Sequence, residues 1–219
     1  MSQLPNFNRL AGPYRWMEWL TFGPWLARCR FTFLDKAATC RHALVLGDGD
    51  GRFTARLLRA NSHIHIDAVD ASSSMLHALV RRAGPNGIRL RTYLADARQW
   101  NPSADSPYDL VVTHFFLDCL TTEEILSLAA RLRPTLSPAA LWIVSEFAIP
   151  PTWYGRLVAR PLIAALYRAF GLLTGLTVRT LPDYAAALRS AGFTLLERRP
   201  RLAGLLVSEL WTVRPSNPA

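Results

Sequence analysis

Along residues 42–149, short apolar runs alternate with stretches whose apolar side chains recur every three or four positions. HALVLG (42–47) is the first run, and GRFTARLLRAN (51–61) follows with Phe53, Leu57 and Leu58 at helical spacing. HIHIDAVD (63–70) alternates and then turns apolar. SSSMLHALVRRAG (72–84) opens on serines and closes on a glycine, as helices do. IRLRTYLAD (88–96), YDLVVTHF (108–115) and ALWIVSEFAI (140–149) read as three more strands. Between the last two, TTEEILSLAARLRP (121–134) carries the Thr121-to-Glu124 capping box ahead of its apolar stripe.

Five strands separated by helices predict a parallel sheet covered on both faces. The chain ends differently: LPDYAAALRSAG (181–192) reads as a helix, and FTLLERRP and GLLVSELWTV follow with only a short gap, which predicts an antiparallel hairpin. The expected fold is α/β: a Rossmann-like, seven-stranded, mostly parallel sheet with an antiparallel last strand. Residues 1–38, with Tyr14, Trp16, Trp19, Phe22 and Trp25, read as an N-terminal helical cap, and 39–219 as the main domain. Within that domain 150–178 is an apolar, arginine-studded insertion placed to act as a helical lid over the strand ends, where open α/β sheets bind ligands.

Composition narrows the class. Half of the 219 residues are hydrophobic, enough for one sizeable core. Net charge is +9, and almost all the base is arginine, Lys36 being the only lysine. The arginines are scattered, with no block of five or six, so a nucleic-acid face is the minority reading. Cys29, Cys40 and Cys119 form neither an even set nor a CxxC pair and read as reduced thiols, which predicts a cytoplasmic protein. The opening MSQLPNFNRLAG lacks the pattern of a secretory signal, and no long uncharged stretch predicts a membrane span.

The loop after the first strand, Gly47-Asp48-Gly49-Asp50-Gly51-Arg52, sits where the fold places its ligand crevice. Its spacing is G-x-G-x-G, with Arg52 where the last glycine of a dinucleotide fingerprint would fall. Glycines allow close backbone approach, but two aspartates disfavour a pyrophosphate and favour a cationic ligand. Asp70 ends the second strand and can accept from both hydroxyls of a ribose; Asp96 ends the third and suits an exocyclic amine. Together these describe adenosine carrying a positive group. S-adenosylmethionine fits, with S-adenosylhomocysteine as product, and an NAD-dependent reductase does not.

VLGDGDGR, VDASSSML and LADA, with the closing hairpin, resemble the class I S-adenosylmethionine-dependent methyltransferases over roughly residues 40–214. FNRLAGPYRWMEWLTFG and EFAIP resemble, more loosely, the ubiquinone/menaquinone-biosynthesis branch. The resemblance implies a cofactor site of Gly47, Asp48, Gly49, Gly51, Asp70, Ala71, Met75, Asp96, Ala97, His114, Phe115 and Tyr14. For the acceptor it implies Tyr14, Phe115, Phe116 and Glu146. Val45 departs from the family, which has an acid two positions before the first glycine; Asp48 is the candidate replacement, reaching the amino group of the methionine moiety.

His114, after the fourth strand, is the candidate catalytic base, with a shape-filling role as its alternative. Phe115 and Phe116 can flank the sulfonium or an aromatic acceptor, or one of them is simply core. Asp118 reads as a tether, and Tyr14 as a helix residue folding over the cofactor or one more apolar-face aromatic. His63 and His65 share a strand face but lack ligand-spaced partners, so no metal is expected. In 156–173, Arg156, Arg160 and Arg168 share one stripe, and Ile163, Leu166, Phe170 and Leu173 line another. That pattern predicts a lid, with peripheral contact at the inner membrane face as the minority reading. No NPPY-like or Pro-Cys signature follows the fourth strand, which argues against nucleic-acid acceptors. The expected function is methyl transfer to oxygen or carbon of a small hydrophobic acceptor, with aromatic and quinol-like molecules among the candidates. Its alternatives are a non-catalytic binder and an N-methyltransferase acting on a lipid or amine.

Overall fold

The computed structural model describes residues 24–102, 106–174, 178 and 180–214. Strands β1 (His42–Leu46), β2 (His65–Asp70), β3 (Leu90–Leu94), β4 (Tyr108–His114), β5 (Leu136–Phe147), β6 (Phe193–Arg201) and β7 (Leu206–Val213) form one sheet in the order β3-β2-β1-β4-β5-β7-β6. Pairings from β3 through β5 are parallel, and β7 runs antiparallel to both β5 and β6. The sheet is therefore seven-stranded and mostly parallel, with its last strand reversed.

The helices among the described residues are α1 (Trp25–Arg30), α2 (Arg52–Ala60), α3 (Ser73–Ala83), α4 (Thr122–Leu132), α5 (Arg160–Thr174) and α6 (Tyr184–Ser190). A π-helical turn, Gly155–Ala159, leads into α5. Local chemistry sets several starts. Ser72 Oγ accepts from the Met75 amide at 3.3 Å at the head of α3. At α4 the capping box is reciprocal: Glu124 N donates to Thr121 Oγ1 (3.2 Å) and Thr121 N to Glu124 Oε2 (2.9 Å).

Alternate residues of the central strands bury into opposite layers, as a sheet covered on both faces requires. Leu44 and Leu46 of β1 pack with Val111, Trp142, Trp211 and the apolar faces of α4 and α6. Ala43 and Val45 pack with Phe53 and Leu57 of α2, Leu110, Val112 and Ile143. Asn61 locks the α2–β2 connection: its Nδ2 donates to the Ala37 (3.0 Å) and Cys40 (2.7 Å) carbonyls, and its Oδ1 accepts from the His63 (2.9 Å) and Ile64 (3.1 Å) amides.

Strand β5 begins at Leu136, earlier than its apolar run at Ala140 suggested. Tyr108 pairs with Leu136, and the register then shifts so that Leu110 pairs with Leu141. Pro138, without an amide hydrogen, lies in that irregular stretch. At the outer edges, β6 exposes Arg198, Arg199 and Pro200, and β3 exposes Arg91 and Thr92.

Candidate cofactor site

The chain leaves β1 through Gly47, Gly49 and Gly51 at left-handed φ values of 66°, 59° and 77°. The glycines are needed for different reasons. A Cβ on Gly47 would run into the Phe116 ring, and one on Gly51 would lie 2.7 Å from the Leu79 Cα. At Gly49 the nearest atom would be Met75 Sδ, 4.0 Å away, so this peptide faces open space.

The two loop aspartates have separate fates. Asp48 Oδ2 accepts from the Thr54 amide at 2.8 Å, tying the loop to the first turn of α2. Its Oδ1 is shielded from water and has no hydrogen-bond partner. Burial pushes this carboxyl up, opposed by the hydrogen bond from Thr54 and by the Arg30 charge. Asp50 is paired with Arg82 at 2.7 Å and Arg52 at 3.2 Å. Its charge is thus already neutralised, which corrects the reading of two ligand-directed carboxylates: the acidity of the loop is that of Asp48.

Asp70, at the end of β2, accepts from the Ser72 amide at 2.8 Å. Burial, with the nearby Asp48 charge adding to it, pushes its carboxyl up to about 6. Ala71 beside it is exposed, and Met75 is buried below Gly49. Asp96 is engaged otherwise. Burial alone would raise it, but the Arg98 guanidinium, 2.8 Å away, overcomes that and, with Arg131, holds it below its ordinary value. The neighbouring Ala97 is buried, and its carbonyl accepts from Arg131 at 2.8 Å.

The end of β4 supplies the other wall. His114 is 3% exposed, and neither ring nitrogen has a hydrogen-bond partner. Its ring stands edge-on to Phe53, 4.5 Å between centroids. Burial, then the Arg30 charge, drives its pKa well down, so the imidazole is neutral. Phe115 takes a left-handed φ of 54°, a strained geometry for a side chain of its size. Its amide donates to the Ser145 carbonyl at 2.7 Å, and its ring packs on Phe147. Glu146 Oε1 accepts from the Phe116 (3.0 Å) and Leu117 (2.8 Å) amides, while its buried Oε2 has no partner. Burial, then the Asp118 charge, holds Glu146 well above the usual carboxylate range. Asp118 is a tether through its backbone, its carbonyl accepting from the Tyr167 hydroxyl at 2.9 Å.

The structure thus gathers the glycine loop, Asp48, Asp70, His114, Phe115, Phe116 and Glu146 at one sheet edge, with Asp96 at the next strand end. Tyr14 lies outside the described residues. The sequence reading passed over Arg30, an arginine in an apolar segment. It is 7% exposed, its Cζ lies 5.2 Å over the Phe115 ring, and its charge acts on both Asp48 and His114. Its burial inside WLARCRFTF was the only available hint.

The family model of the methyltransferase domain matches residues 43–139. An O-methyltransferase family protein from Burkholderia thailandensis superimposes with a TM-score of 0.70 at 16% identity, covering 97% of this chain and 62% of that one. The fold is that of the S-adenosylmethionine-dependent methyltransferases. The N-methyltransferase NodS of Bradyrhizobium japonicum, in complex with S-adenosyl-L-homocysteine, matches with a TM-score of 0.61 at 17% identity, covering 86% of this chain and 87% of that one. The malonyl-[acyl-carrier protein] O-methyltransferase of Paenibacillus is 27% identical over 164 residues, 73% of this chain. That stretch is 57% of the relative's length, so the chain spans little more than half of it.

S-adenosylmethionine is the cofactor this methyltransferase fold and these residues fit. It carries a sulfonium and an ammonium, and the loop offers it a buried carboxylate oxygen with no other partner, beside a bare peptide at Gly49. Val45, 1% exposed in the core, leaves Asp48 as the acid of the loop with an uncommitted oxygen.

Proposed function

We propose that this protein transfers a methyl group from S-adenosylmethionine to oxygen or carbon of a small hydrophobic acceptor, aromatic or quinol-like in character. The observation that carries the reading is a set of partly buried aromatics, Trp25, Phe115, Phe147 and Tyr154, packed on the apolar cluster of α1, α5 and β7, with Phe115 at the end of β4 beside the glycine loop's partner Phe116. Such a wall suits a flat apolar molecule. The O-methyltransferases among the similar proteins support the same direction.

In this reading Asp48 Oδ1 accepts from the ammonium of the methionine moiety, Asp70 from the ribose hydroxyls, and Asp96 from the adenine amine. Bound there, S-adenosylmethionine supplies an electrophilic methyl carbon on sulfur. The protein's task is to bring the acceptor in line and keep water out, and such orientation is worth about 7–11 kcal/mol. In this reading His114 is a packing residue: burial, then the Arg30 charge, holds its imidazole far below its ordinary pKa, which makes it a poor proton acceptor, and its ring stands against Phe53. The acceptor atom must then be acidic enough to lose its proton without a strong base, as a phenol or an enolisable carbon is.

The test is titration calorimetry with S-adenosylmethionine and S-adenosylhomocysteine. It is followed by release of S-adenosylhomocysteine with phenols, hydroquinones, RNA and protein as acceptors. Turnover on the small aromatic acceptors supports the proposal. Methyl label found only in RNA or protein overturns the acceptor class, and absence of cofactor binding overturns the whole reading.

A further inference from the structure

We propose that the outer face of residues 149–162 docks the protein on an anionic lipid bilayer. The helical segment from Trp153 into α5 has a complete inner face: Gly155, Ala159, Ile163 and Tyr167, four residues apart, are all buried. Ala159, Ile163 and Tyr167 pack with Leu26 and Cys29 of α1 and with Leu205 and Leu206. Gly155 has to be glycine, because a Cβ there would collide with the Pro150 carbonyl.

With that face filled, the described residues give no reason for the opposite one to be apolar. Yet Trp153 is 69% exposed and Leu157 71%, with Ile149, Val158 and Leu162 exposed around them. These make up half of the large apolar side chains exposed among the described residues. Single exposed apolar residues are ordinary, but five within one short segment form a patch.

Charge selects the occupant. Arg156, Arg160 and Arg168 are exposed on the same segment, and no acidic residue occurs between Glu146 and Asp183. A tryptophan and aliphatic side chains ringed by arginines match the boundary between acyl chains and anionic headgroups. A second copy of this chain would bring two arginine-rich faces together, on a protein whose net charge is +9. Among the described residues no helix is long and apolar enough to cross a membrane, so the contact is peripheral.

The experiment is flotation of the full chain with vesicles of phosphatidylcholine alone or mixed with phosphatidylglycerol, at low and high salt. It reads lipid binding and needs no methyl acceptor. Binding to the phosphatidylglycerol vesicles that weakens with salt is expected. Trp153→Ser with Leu157→Ser should lower partition about tenfold or more. Arg156→Gln with Arg160→Gln should lower it about twenty-fivefold, at about fivefold per arginine. Circular dichroism melting establishes that both variants are folded. Failure to float with anionic vesicles, or unchanged flotation of both folded variants, overturns the proposal. So does a concentration-dependent dimer abolished by Trp153→Ser with Leu157→Ser, which assigns the face to a second copy.

Discussion

Replacing Gly51 and Gly49 separately by alanine isolates the packing role of the glycine loop, because the two positions share a backbone conformation and differ in their neighbours. Both are left-handed, at φ 77° and 59°. A Cβ in that region costs about 1–2 kcal/mol. Alanine recovers about 0.4–1 kcal/mol of that by restricting the unfolded chain. At Gly49 nothing lies nearer than 4.0 Å, so Gly49→Ala should lose only about 0.5–1 kcal/mol. At Gly51 the new atom would stand 2.6 Å from Leu79 Cγ and 2.7 Å from its Cα, so α3 itself must move. Overpacking of that kind adds about 1–3 kcal/mol, for a total of roughly 2–4 kcal/mol. For a chain of this size that is a fall in Tm of about 5–12 °C, against about 3 °C or less for Gly49→Ala. Urea unfolding followed by far-ultraviolet circular dichroism, without cofactor, reads the difference. Two variants within about 0.5 kcal/mol of each other would refute the packing argument, since the error of such comparisons is of that order.

Other outcomes follow from single contacts. In the proposed site Asp70 accepts from the ribose hydroxyls as an ionised carboxylate, so cofactor affinity should fall about tenfold per pH unit below pH 6. Calorimetry on Asp70→Asn should show weaker binding and no such slope. The same raised carboxyl contributes stability that is full below its ordinary value of 3.8 and lost as pH climbs to about 6, amounting to about 3 kcal/mol in the cofactor-free protein. Denaturant titrations across that range should show the loss in wild type, and Asp70→Asn should lack it. Glu146 is likewise raised, so its contribution is full below 4.5 and declines as pH rises above that value. Glu146→Gln keeps an acceptor for the Phe116 and Leu117 amides and should melt no lower than wild type at pH 8, whereas Glu146→Ala strands both amides and should cost about 2–3 kcal/mol. Asn61→Ala removes four hydrogen bonds, three of them buried, and should cost about 3 kcal/mol in urea, with cofactor affinity nearly unchanged.

Most of the architecture was legible because it is written in local signals. The serines before Met75, the Thr121–Glu124 box and the short gap before the reversed strand each act within a few residues. The gathering of Gly47, Asp70 and Asp96 along one edge was legible too, since each stands at or just past the end of a successive strand. What escaped was non-local. Asp50 is neutralised by Arg82, 32 positions away in the chain. Arg30 reaches Asp48 and His114 only because α1 folds over the strand edge. The early start of β5 depends on Tyr108 pairing with Leu136 before a register shift, which hydrophobicity does not mark. Burial is the other non-local fact: the sequence put His114 at the ligand edge, and only its surroundings show an imidazole enclosed against Phe53.

The outer strands carry a consequence for how the molecule behaves in company. At its exposed edge β6 presents two arginines and then Pro200, which has no amide hydrogen to offer a neighbouring strand. At the far edge β3 presents Arg91 and Thr92. A sheet-to-sheet ladder built on the β6 side would begin with a missing rung. Growth into a continuous intermolecular sheet, the common route to fibrillar aggregates, is thereby hindered at that edge.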